Sequence, residues 1–277
     1  MKRYLKLVNF EFNRIANLFF ALLALILVVQ VTGVMVKSNR YMAKVNHALH
    51  EELMTKTQFL AESSPMSMIE VGQSLWFFGP IVLCAAFVIF YIFMIWYRDW
   101  FGKNTFIYRL LMLPTDRLNV FLAKLTTILL LTFGFVSFQL MLLPVESAVL
   151  SWMIPNDLLI ELPVEQIISR TDFTSSFIPN GILSFFLYYG AGVIAVSVVF
   201  TAILLERSYR LKGIFIAAGY CALSVLVFAA PLLLQSLVIE NYFYDLELLA
   251  LMIFSGLVVW FGSVWLSRRI LNKSIRV

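Results

Sequence analysis

Residues 75–97 read LWFFGPIVLCAAFVIFYIFMIWY, with no Asp, Glu, Lys or Arg anywhere in the run. At about 1.5 Å of rise per residue, a helix of this length covers a hydrocarbon core about 30 Å thick. A strand reading fails, because the run is too long and its hydrophobicity does not alternate. Working outward, five more runs share this character: 15–36, 125–145, 182–205, 214–238 and 248–267. The expected fold class is an all-α integral membrane protein with six transmembrane helices, forming a single transmembrane domain over residues 1–277.

Composition agrees. The 277 residues are 61% hydrophobic and 13% charged, with a mean hydropathy of +0.90, whereas a soluble domain carries about 25% charged residues. That excludes a water-soluble enzyme, a disordered tail and a fibrous protein. Cys84 and Cys221 both lie inside apolar runs, so neither a disulfide framework nor a zinc site is implied. The first run follows Lys2, Arg3 and Lys6, but it is too long for a signal peptide. No small-residue cleavage site follows Val31–Val36, so the run reads as a retained span.

Charge gives the expected orientation. Lys2, Arg3, Lys6 and Arg14 precede the first span, and Arg98, Lys103, Arg109, Arg117 and Lys124 lie between the second and third. Arg207, Arg210 and Lys212 separate the fourth and fifth, and Arg268, Arg269, Lys273 and Arg276 follow the sixth. One side therefore holds sixteen of the 21 basic residues but only Glu11, Asp99, Asp116 and Glu206 among the acids. The positive-inside rule places both termini in the cytoplasm. The excess positive charge then serves topology and lipid contact, and nucleic acid is not an expected partner.

Residues 1–14 place Lys2, Lys6, Asn9 and Asn13 on one helical face and Tyr4, Leu5, Val8, Phe12 and Ile15 on another. This pattern predicts an N-terminal amphipathic helix lying in the membrane interface before the first span. Two outer segments, 37–73 and 144–181, are long. The first carries a stripe of Met42, Val45, Leu49, Leu53 and Leu60, with Glu52 and Lys56 at helical ion-pair spacing. The second mixes Trp152, Pro155, Pro163 and Pro179 with acidic residues, as expected of pieces broken by turns.

Sites for covalent chemistry are scarce. His47, His50 and Glu51 project to one side of a helix, with Glu52 following, but a helical zincin motif needs a histidine where Met54 stands. A solvated helix face is the expected role, and no metal site is assigned. The apolar runs hold no ionisable group at their centres, which disfavours proton- or sodium-driven transport. No Gly-x-x-x-x-Gly-Lys-Ser/Thr loop occurs, so energy for uphill transport must come from another chain.

The connection over residues 98–124 is the informative one. Leu110, Leu111 and Leu113 form an apolar patch on a short helix ended by Pro114, and Thr115 stands ready to cap the third span. An apolar and basic helix of this kind suits docking in a partner's groove. With Arg98, Asp99, Leu110, Leu111, Leu113, Pro114, Arg117 and Lys124, the segment resembles the permease signature of type-2 ATP-binding-cassette (ABC) exporters. Gly102 and Thr105 are separated here where the family has an adjacent pair.

The resemblance implies a coupling helix at 98–124 that contacts a cytoplasmic ABC ATPase through Leu110, Leu111, Leu113, Pro114 and Arg117. It also implies an N-terminal connecting helix, and a second permease copy or related permease as partner. ATP and Mg would reside on the ATPase, and this chain would be a non-catalytic subunit in the plasma membrane. The walls suit an amphipathic cargo such as a lipid, peptide or antibiotic. Two rival readings are a membrane anchor or sensor without transport, and a membrane enzyme using the His47–Glu52 segment.

Overall fold

The computed structural model describes residues 2–51, 53–100, 106–112, 116–170, 178–179, 181–209, 211–237 and 243–273. Nearly all of them are helical. In chain order they form α1 (Lys2–His50), α2 (Lys56–Glu62), β1 (Met66–Ser67), α3 (Met68–Gly72), α4 (Leu75–Trp100), α5 (Phe106–Leu111) and α6 (Leu118–Met153). A 3-10 turn (Asn156–Leu158), β2 (Leu159–Ile160), α7 (Val164–Arg170), α8 (Ile182–Tyr209), α9 (Leu211–Leu237) and α10 (Asp245–Lys273) follow. Six of these helices, α1, α4, α6, α8, α9 and α10, are long and apolar enough to cross a membrane. The chain is a multi-pass membrane protein.

Five of the six apolar runs sit inside helices at least as long, and the sixth, 214–238, follows α9 to Leu237, with residue 238 outside the described residues. The separate interfacial helix expected over residues 1–14 is corrected by this: residues 2–50 are one uninterrupted helix of 49 residues. No Pro or Gly occurs before Gly33 to break it, and its buried acid Glu11 has partners within the fold. The third apolar run likewise continues through Pro144 to Met153. Proline is tolerated within spanning helices because neighbouring groups satisfy the freed carbonyl.

The chain divides into two compact units. One comprises residues 15–87 and 131–182. Val34, Val45, Phe59, Met66, Phe77, Leu143 and Leu150 are among its buried core residues. Its two long connections bind one another: Met66 pairs with Leu159 and Ser67 with Ile160 in a short parallel bridge, a small departure from an all-helical fold. Lys56 Nζ reaches Asp157 Oδ2 at 3.2 Å.

The apolar stripe expected through Leu53 is also interrupted. Leu53 adopts φ 52°, a left-handed conformation, and Thr55 opens α2 with a capping box closed by Gln58. Lys56 therefore pairs with Asp157, while its expected partner Glu52 lies outside the described residues.

The other unit comprises residues 1–14, 88–130 and 183–277. Trp96, Phe121 and Phe200 meet edge-on or tilted, with ring centroids 5.7–6.5 Å apart. Hydroxyls link its three C-terminal helices. Thr201 Oγ1 on α8 lies 2.9 Å from Ser267 Oγ on α10, and Tyr220 OH on α9 lies 2.6 Å from Ser263 Oγ. The α8–α9 connection needs glycine at 213, where a Cβ would lie 2.5 Å from the Glu206 carbonyl oxygen and 2.7 Å from that of Leu205.

Candidate functional site

Five charged side chains converge where α1 begins, α4 ends and α6 starts. Lys124, on the first turns of α6, is completely buried. Its ammonium donates to Asp99 Oδ2 at 2.5 Å, Glu11 Oε1 at 2.8 Å and the Ile95 carbonyl at 2.8 Å. All three of its protons are thus used. Arg14 donates to the second Asp99 oxygen at 2.7 Å, and Arg98 donates to the second Glu11 oxygen at 3.0 Å. Both carboxylates accept at both oxygens, and three cations face two anions.

Aromatic rings shield the junction. Lys124 Nζ lies 5.2 Å from the Trp96 ring centroid, and the Arg98 guanidinium lies 5.8 Å from that of Tyr91. The Arg14 guanidinium stands 5.3 Å from both Phe10 and Phe106, which brings α5 into the assembly. Ion pairs buried to this degree fix the relative positions of the helix ends that carry them, because an unpaired buried charge costs several kcal/mol (about 3–5) when a partner is lost.

Of the expected coupling residues, Leu110 and Leu111 are buried, Arg117 is part-buried, and Leu113 and Pro114 lie outside the described residues. Leu110 and Leu111 are each 4% exposed, and Leu110 packs with Leu7, Val8, Val120 and Ala123. Leu110 therefore faces inward, toward the starts of α1 and α6, where Leu7 and Val8 need an apolar partner and Leu110 supplies it. The outward side of α5 carries Arg109, followed by Met112 at 68% exposure.

Leu113 and Pro114 lie outside the described residues, as do Lys103 and Thr115. Arg117 donates to the Leu271 carbonyl at 2.6 Å, and Arg268 approaches Asp116 at 3.6 Å. The connection is thereby tied to the end of α10 as well as to the start of α1.

The histidine cluster resolves locally. His47 Nε2 lies 2.9 Å from Glu51 Oε2 one helical turn away, both side chains being exposed. Among the described residues, no three His, Cys, Asp or Glu side chains gather as metal ligands. No protein-family model, curated protein or solved structure matches this chain.

The ionic junction is not foreseen by sequence reasoning, which uses Glu11, Arg14, Arg98, Asp99 and Lys124 only as markers of sidedness or of the signature. Two signals point further. Glu11 and Arg14 are one helical turn apart, and every member sits at the edge of an apolar run, where helices that cross together bring their ends level.

Proposed function

We propose that this chain is the permease subunit of an ATP-driven exporter of the type-2 ABC kind. One observation carries the reading: the short helix between the second and third spans is fastened, through Arg14 stacked on Phe106 and the buried Leu110, to the same junction that clamps the starts of α1 and α6 and the end of α4. A helix so anchored moves three spanning helices when it is pushed. In this reading the ATPases, carrying ATP and Mg, close on nucleotide binding and press on α5 from the cytoplasm. The ionic junction passes that displacement to the spans as one body.

Arg109 and Met112 are then the contact residues on α5, with Leu110 and Leu111 as its internal anchors. A second permease copy or a related permease completes the pathway in the plasma membrane, and an amphipathic cargo leaves along it. The chain itself performs no covalent step.

The test is co-purification from native membranes in mild detergent. An ABC ATPase is expected to accompany the chain, and the pair Arg109→Glu with Met112→Asp is expected to release it while the permease remains folded. A chain that purifies without any ATPase and retains its cellular activity overturns the reading.

A further inference from the structure

The unit that contains residues 183–277 has a cavity of about 500 Å³ between α8 and α10, floored by Phe228 of α9. Its lining is apolar apart from one charged side chain, Asp245. The two walls run parallel in register. Thr201 Oγ1 bonds the Ser263 carbonyl, 62 residues on. A Cβ on Gly256 would meet Ile194 at the same offset.

That register sets Phe186 beside Leu248, one turn from Asp245. The carboxylate and an exposed aromatic ring thus share one end of the cavity. From there the lining runs to Gly256 and Leu257, a distance of about 18 Å at helical rise. This is an anion with a ring at the head and a long apolar slot behind it.

We propose that this cavity binds a single-chain amphiphile with a cationic, ammonium-type headgroup. Asp245 opposes the positive charge, and Phe186 presents its ring to it, as aromatic faces do to quaternary ammonium groups. The alkyl chain fills the slot along Gly190, Leu249 and Met252. The slot is open beside Gly190, where a Cβ would meet nothing within 4 Å. The proposal names a cargo class for the exporter reading and rests on that reading for transport alone, since binding needs only this chain.

The experiment uses the full chain without any ATPase, in phosphatidylcholine nanodiscs, with radiolabelled hexadecyltrimethylammonium as probe and empty discs as background. Saturable binding is expected. Asp245→Asn is expected to weaken it about fivefold. Gly190→Leu and, separately, Ala191→Leu fill the slot and are expected to abolish binding at an unchanged unfolding temperature. Should either filled variant fail to fold, the exposed Asp245 still provides the comparison.

Absence of saturable binding overturns the proposal. So does equal affinity for uncharged hexadecyl maltoside, or parent-like binding by the filled variants. Loss of the exporter reading is registered elsewhere, by co-purification, so the two failures are separable.

Discussion

Lys124 and Asp99 stand 25 residues apart in the chain and 2.5 Å apart in space, and neither side chain is exposed to solvent. Their contact joins the end of α4 to the start of α6. Replacing Lys124 with Met leaves Glu11 and Asp99 each short of one donor, and is expected to destabilise the chain by about 3–5 kcal/mol. Thermal unfolding in detergent, followed with a thiol-reactive dye at the free cysteines, measures it. Adding Asp99→Asn to Lys124→Met should cost less than the sum of the two single losses, because the bond between the two side chains is lost only once. Additive losses would show that the two side chains act independently.

Gln30 and Gln139 form a smaller polar contact in the other unit. Gln30 Nε2 donates to Gln139 Oε1 at 3.2 Å and to the Phe77 carbonyl at 2.9 Å, in a buried site. Hydrogen bonds between spanning helices contribute about 0.6 kcal/mol on average. Gln30→Leu and Gln139→Leu should each cost about that much. The double variant should cost less than the sum, because no amide is then left without its partner.

Two glycines test the close-approach argument as a pair. Gly213→Ala pushes a methyl group onto the Glu206 and Leu205 carbonyls and is expected to cost about 1–3 kcal/mol. Gly190→Ala meets open space and should stay within about 0.5 kcal/mol of the parent. Equal effects in the same unfolding assay would remove the steric explanation.

Burial divides the residues of the α5 segment into two classes. Leu110→Ala and Leu111→Ala open cavities and should each cost about 2–5 kcal/mol. Met112→Asp changes an exposed side chain and should leave stability within about 0.5 kcal/mol. If the leucine variants are as stable as Met112→Asp, α5 is not packed against α1.

Orientation is open to labelling in intact cells. With Cys84 and Cys221 replaced by Ala, a cysteine at position 47 should react with an impermeant thiol reagent and one at 212 should not. The opposite pattern inverts the molecule.

Hydropathy alone locates the six helices long and apolar enough to cross a membrane, because runs such as 75–97 carry no charge over the length of a span. Their ends are not legible in the same way. Apolar periodicity stops where charge begins, whereas a helix stops only where its backbone loses partners or meets a breaker. Helix α1 therefore runs on to His50, to be stopped near Leu53 and Thr55, and α6 begins at Leu118, ahead of the apolar run. The leucines of α5 are readable as apolar but not as inward-facing. A partner helix inside the same chain and a partner protein leave the same pattern of apolar residues.

The junction also has an order of assembly. Glu11 and Arg14 leave the ribosome together and form a balanced pair 3.7 Å apart on one helix. Arg98 and Asp99 follow as a second balanced pair, adjacent in the chain. The first two spanning helices thus each reach the bilayer edge with no net charge from these residues. Lys124 is the last to be synthesised, and it bonds to a carboxylate of each earlier pair. Arg14 with Asp99 and Arg98 with Glu11 latch the first two helices to one another, and Lys124 fastens the third to both, so a nascent chain halted before residue 124 would lack the closing bolt of its own fold.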